Sequence, residues 1–289
     1  YTAVVLYLVQ LSRFHDLLLS LSLLYKNVKM QTWPILLMHT DDFNDPATRT
    51  EFMIRLYDSI GGGQEARWFV DRIEWIKLEW TWPESISHDK SVVQPAFEHA
   101  WPGYHQMCAF FATQIFDHPR LKDVTYYMRL DTDSYIFKPL CYDPVELFHQ
   151  HNKTYAHNAQ RMDPDWVTVG LWNFVDDYAR THSKVEQNLE KNGWKWPANR
   201  NREEMGKHQF PIYYNNFEIV KVDAFRRPDI RAWFDELTSV PERFLKYRWG
   251  DAPLRYATIS MFFDVEKDVE EFCGMDYWHN GIHGNKCSC

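Results

Sequence analysis

The sequence predicts an α/β fold built on a mostly parallel central sheet flanked by helices. Three observations carry this. Ala3–Val9 is a continuous apolar run rich in Val and Leu, the composition of a strand buried on both faces. Phe14, Leu17, Leu18, Leu21, Leu24, Tyr25 and Val28 then recur at helical spacing. Pro34–His39 is a second apolar run, so strand, helix and strand follow one another as a βαβ unit.

The remaining elements are read in order. Thr40–Pro46 is a polar turn, and Glu51–Ile60 a helix stopped by Gly61-Gly62-Gly63. Arg72–Leu78 alternates as a half-exposed strand. Trp80–Trp101, interrupted by Pro83 and Pro95, reads as a long loop. Tyr104–Phe116 is helical, with Met107, Phe110, Phe111 and Ile115 on one face. Val124–Leu130 is the next strand. Leu171–Lys191 reads as one long helix, Trp194–Phe210 as a loop, Asn215–Val220 as a strand, and Asp223–Leu237 and Asp251–Phe263 as helices. No repeat or linker divides the chain, so one domain over residues 1–289 is expected.

Composition narrows the function classes. Lys and Arg number 32 against 40 Asp and Glu, a net charge of -8. No basic cluster stands out, which argues against a nucleic-acid groove. Aromatics reach 17%, suited first to a core and then to sugar surfaces. The apolar stretches Ala3–Val9 and Leu17–Leu24 are too short or too interrupted to span a bilayer. Membrane attachment is therefore expected only through a segment outside these residues. Asn152-Lys153-Thr154 is a glycosylation sequon. Of the five cysteines, Cys273, Cys287 and Cys289 crowd the tail. That pattern fits a disulfide-stapled tail or a metal site. His279 and His283 have zinc-like spacing, and a third reading gives one of them to the ion discussed next.

Asp131-Thr132-Asp133 directly follows the apolar strand Val124–Leu130. Two carboxylates one residue apart at a strand end face a common point. A hard divalent ion there would neutralise a diphosphate. Glu218, in Asn215-Asn216-Phe217-Glu218, is costly to bury without partners. It reads either as a carboxylate beside an anomeric carbon or as a salt-bridged structural residue. Asp251 opens a helix ahead of Pro253 and reads as its N-cap, with sugar binding as an additional role.

Together with Tyr104-His105-Gln106-Met107-Cys108, Tyr126–Asp133, Asn216–Ile219, Arg248–Pro253, Tyr277-Trp278-His279 and Asn285–Cys289, these segments resemble the fungal Golgi α-1,2-mannosyltransferases, glycosyltransferase family fifteen. The resemblance implies a GT-A fold and a retaining transfer of mannose from GDP-mannose to a glycan or glycoprotein acceptor. It implies Mn²⁺ as cofactor and a Golgi or secretory-pathway lumen as the setting. By matching position, Asp131, Asp133 and His279 would hold the metal, and Glu218 and Asp251 would be catalytic. Arg13, Tyr104, Arg129, Asp131, Tyr214 and Asn216 would bind donor or substrate. Residues 1–140 would form the nucleotide-sugar half, and residues 141–289 the acceptor and catalytic half. Asp-Thr-Asp replaces the family's usual Glu-Pro-Asp, and Arg255 stands where its members commonly have His. A different nucleotide sugar, or glycan binding without turnover, are the alternatives.

Overall fold

The apolar runs become the strands of one large sheet. The computed structural model describes residues 1–28, 32–272 and 274–283. Its strands are β1 (Ala3–Leu8), β2 (Ile35–His39), β3 (Ile73–Lys77), β4 (Tyr126–Leu130), β5 (Tyr135–Ile136) and β6 (Tyr155–His157). They continue with β7 (Gln160–Asp163), β8 (Phe210–Tyr213), β9 (Phe217–Lys221), β10 (Val269–Glu271), β11 (Tyr277–His279) and β12 (Ile282–His283). Seven of them form a sheet in the order β10-β6-β9-β4-β1-β2-β3. Only β9 runs against its neighbours, β4 and β6. The other pairs in this sheet are parallel.

Strand alternation sorts the apolar residues onto two faces. Val4, Leu6, Leu36, Met38 and Tyr127 enter one core, with the helices Gly103–Ala112 and Asp251–Phe262. Val5, Tyr7, Leu37, Tyr126 and Met128 enter the other. The crossover helix Phe14–Asn27 buries Leu17, Leu21 and Leu24 against that second face. The expected α/β fold with a mostly parallel, helix-flanked sheet is therefore what the chain adopts.

Several boundaries differ from expectation, each for a local reason. The helix read as Glu51–Ile60 spans Pro46–Ser59, because the Asp45 carboxylate caps the backbone N–H groups of Ala47 and Thr48 and Pro46 fits the first turn. The three glycines do not end in a loop. A second helix, Gly63–Val70, follows at once, with φ of 64° at Gly62 and 84° at Gly63 making the turn. The long helix read over Leu171–Lys191 is two, Leu171–Thr181 and Ser183–Lys191, broken at His182 with φ -129° and ψ 87°. There the His182 ring stacks on Tyr178 and bonds its carbonyl oxygen at 2.9 Å. Asp223–Leu237 is also split, since Pro228 holds Arg227 extended and starts the helix Pro228–Thr238. The N-cap of Asp251–Phe262 is Gly250 rather than Asp251; the Asp251 carboxylate is used elsewhere.

Cys141 is disulfide-bonded and Cys108 is a buried free thiol. The tail cysteines Cys273, Cys287 and Cys289 lie outside the described residues. No helix among the described residues is long and apolar enough to cross a membrane.

Candidate active site

In an α/β sheet, ligands collect outside the carboxyl ends of the parallel strands. A cavity of about 1110 Å³ lies there. One wall comes from the residues that leave β1, β2 and β3, among them Val9, Gln10, Thr40, Asp41 and Lys77. Asp131 and Asp133, leaving β4, form its centre. Tyr104, Asp163, Tyr214, Asn215, Asn216, Arg248 and Asp251 form the opposite wall.

The acidic turn is held from behind. Ser134 N–H donates to the Asp131 carbonyl at 3.0 Å, and Asp131 N–H donates to the Asn216 carbonyl at 3.1 Å. The Ser134 and Tyr277 hydroxyls share a buried bond of 2.8 Å. β11 pairs with β5, which directly follows the turn, with Trp278 opposite Tyr135. That pairing delivers His279. Its Nε2 lies 3.0 Å from Asp133 Oδ1 and 3.8 Å from Asp131 Oδ2. Its Nδ1 is 2.7 Å from the Tyr214 hydroxyl, so the ring is fixed with Nε2 toward the carboxylates. The other Asp133 oxygen takes a bond from Arg13 Nη2 at 2.5 Å. Burial pushes the Asp133 carboxyl up, but its His279 bond and the His279 and Arg13 charges together leave it below the usual range. The Tyr214 phenol is pushed up to about 12, chiefly by burial and then by the Asp131 and Asp133 charges.

Arg129 joins the acidic centre to the second wall. It is 2% exposed, and its ring neighbour is Phe111, with Cζ 3.6 Å from the ring centroid. Its Nη1 donates to Asp251 Oδ2 at 2.5 Å and its Nη2 to Asp131 Oδ1 at 3.0 Å. Asn215 Nδ2 donates to the same Asp251 oxygen at 2.9 Å. Asn216 is 4% exposed and lines the cavity, and both of its amide heteroatoms lack a protein partner.

The structure thus brings together Arg13, Tyr104, Arg129, Asp131, Asp133, Tyr214, Asn216, Asp251 and His279. It does not bring Glu218 to the cavity: that residue is wholly buried beneath the wall. Residues to which the sequence reading gave no role also take part. Arg248, with φ of 55°, reaches over the Tyr104 and Phe97 rings and lies 3.5 Å from Asp163. Asp163 sits on the short strand β7 with a carboxyl raised by burial, against the pull of Arg248. The motif Arg248–Pro253 marked the first; no local pattern marked the second.

Among the described residues, no three His, Cys, Asp or Glu side chains form a metal cage by themselves. A divalent cation of the Mg²⁺ or Mn²⁺ type needs none when a diphosphate supplies further oxygens. One or two carboxylates and an imidazole aimed at the same point suit that use.

A family profile described as glycolipid 2-alpha-mannosyltransferase matches residues 71–288. The chain belongs to this family. It is 30% identical over 180 residues to the O-glycoside alpha-1,2-mannosyltransferase homolog 2 of Schizosaccharomyces pombe, covering 61% of this chain and 45% of that protein. It is 24% identical over 230 residues to the glycolipid 2-alpha-mannosyltransferase of Saccharomyces cerevisiae, covering 74% and 50%. The chain therefore spans about half the length of these curated relatives. In structure it resembles core-mannan synthase A of Aspergillus fumigatus in its Mn/GDP form, with TM-score 0.77, 22% identity, and 99% of this chain and 78% of that one covered. It equally resembles the mannosyltransferase Ktr4p of S. cerevisiae in complex with GDP, with TM-score 0.79, 21% identity and coverage of 99% and 73%. These structural likenesses establish the GT-A fold.

Proposed function

We propose that this chain transfers mannose from GDP-mannose to a hydroxyl of a mannose-bearing glycan, with retention of the anomeric configuration. The observation that carries the reading is the convergence of Asp133 and His279, far apart in sequence, at the carboxyl edge of the sheet. The relatives' names, and the Mn/GDP and GDP states of the structural neighbours, point to the same donor and ion.

In this reading Asp133 and His279, assisted by Asp131, would hold a divalent cation, which would offset the negative charge of the diphosphate. Arg13 orients Asp133 and adds positive charge at the phosphate side. The bond between the anomeric carbon and the phosphate oxygen breaks, and its electron pair leaves with the diphosphate. The acceptor oxygen bonds to that carbon and gives its proton to the departing phosphate oxygen. Asp251 and Asn216 bind hydroxyls of the sugars, and Arg129 holds Asp251 and Asp131 in register across the cleft. Tyr104 and Arg248 form the wall that the acceptor meets. Residues 1–140 supply most of the nucleotide-sugar side and residues 141–289 most of the acceptor and catalytic side, with Tyr104 and His279 each crossing to the other. A secretory-pathway lumen is the setting, supported by the disulfide at Cys141 and by the exposed Asn152 of the sequon.

The test is nucleotide release from a panel of nucleotide sugars, with Mn²⁺ and with chelator. Release from GDP-mannose alone, abolished by chelator, is expected. Release from a different donor would overturn the substrate assignment.

A further inference from the structure

Glu218 is the member of the candidate site that the fold withholds from the cavity. It has no exposed surface. Both of its oxygens are taken: the Tyr127 hydroxyl donates to Oε1 at 2.8 Å, and Arg255 Nε lies 3.3 Å from Oε2. Arg255 is 1% exposed and lies between the Phe116 and Phe225 rings, 4.9 and 4.8 Å from their centroids. Its Nη2 donates to the Phe111 carbonyl at 2.8 Å, and the ring of that same Phe111 carries Arg129. Arg129 and Glu218 are register partners on β4 and β9. The carboxylate and its partners therefore sit directly behind the guanidinium that joins Asp131 to Asp251.

A nucleophile must approach its carbon to about 3–3.5 Å. A side chain without exposed surface makes no such contact. Swinging Glu218 outward would break its Tyr127 bond and strand the Arg255 charge in the core, which proteins resist strongly.

We propose that Glu218, Arg255 and Tyr127 form a positioning trio that acts through Arg129, and that Glu218 bonds to no sugar. The inference rests on the mannosyl-transfer reading above. Retention then follows from attack on the leaving-group face: the acceptor oxygen bonds to the anomeric carbon as the phosphate oxygen departs, and that oxygen takes the acceptor's proton.

The unaltered protein is assayed first. Absence of Mn²⁺-dependent GDP release there would defeat the transfer reading itself, not this inference. Glu218→Gln is then compared with the double variant Glu218→Gln/Arg255→Gln, which removes the charge pair without leaving a lone buried guanidinium. Thermal melting and GDP binding establish that each is folded. In a folded variant we expect kcat at saturating Mn²⁺ to fall by less than about a hundredfold, because loss of a nucleophile costs far more than that. We expect the Mn²⁺ concentration for half-activation to rise, since Asp131 is set through Arg129. A larger fall in kcat, or an unchanged Mn²⁺ requirement, would overturn the proposal. If neither variant folds, the native protein decides. It is incubated with the 2-deoxy-2-fluoro analogue of GDP-mannose and peptides are mapped by mass. An unmodified Glu218 peptide alongside turnover supports the trio; a sugar on Glu218 ends it.

Discussion

His279 Nε2 stands 3.0 Å from Asp133 Oδ1, although one residue leaves the centre of the main sheet and the other arrives on the separate three-stranded sheet. In the proposed reading, removing either partner would empty one side of the metal position. His279→Ala and Asp133→Ala should each raise the Mn²⁺ needed for half-activation by at least about tenfold and lower turnover by about a hundredfold or more. Tyr214→Phe, which loses the bond that orients the ring, should weaken Mn²⁺ by about tenfold. Titration of GDP release against Mn²⁺ reads all three. An unchanged requirement removes that residue from the site.

Arg129 spans two carboxylates, Asp131 and Asp251, with its two terminal nitrogens. Lysine carries the charge but not the fork that spans two carboxylates. Breaking a buried, hydrogen-bonded pair costs about 3–5 kcal/mol. Arg129→Lys should therefore lower the melting temperature by several degrees and reduce kcat by more than about a hundredfold, even with saturating metal. A variant that melts normally and turns over normally would show that Asp131 and Asp251 position themselves.

Acid should destabilise the fold through two buried histidines. Burial lowers His105 and His157 from the usual 6.5 to about 4. Between those values the unfolded chain binds protons that the folded chain refuses. The stability these residues contribute is thus fully present above pH 6.5 and is lost as pH falls toward 4. Melting curves across that window should show a falling midpoint, and His157→Asn should flatten the slope. An equal slope in that variant would exclude His157 as a source.

Asn216 offers an open amide to the cavity, so its loss should be felt by ligand and not by the fold. Asn216→Ala should leave the melting temperature unchanged or slightly raised, since an unsatisfied buried group is removed. The KM for donor or acceptor should rise by about tenfold, the worth of one good hydrogen bond. A fall in stability with unchanged KM would make the amide structural.

The sheet was legible because three of its strands are mainly apolar: Ala3–Val9, Pro34–His39 and Val124–Leu130 announce β1, β2 and β4 without help from tertiary context. The acidic turn was legible for the same reason, since it directly follows the last of these. What escaped was set by side chains acting on the backbone at a distance no pattern displays. The His182 ring breaks a helix whose amphipathic period continues through Val185 and Leu189. The Asp251 carboxylate leaves its cap for Arg129, a partner from another strand. Glu218 could not be separated from a reactive carboxylate by its neighbours in sequence, because the residues that neutralise it, Tyr127 and Arg255, come from β4 and from the helix Asp251–Phe262. Asp163 gave no signal at all.

The pairing of β11 with β5 has a thermodynamic corollary. A cation gripped by both Asp133 and His279 would close a loop spanning most of the second half-chain, and the closure would lower the entropy of that segment's open states. Ion binding and docking of the 277–279 strand are then linked equilibria, each favouring the other. Chelator should make the peptide bonds around Phe272 and Met275 more easily cut by protease, while those within β1 and β2 stay protected.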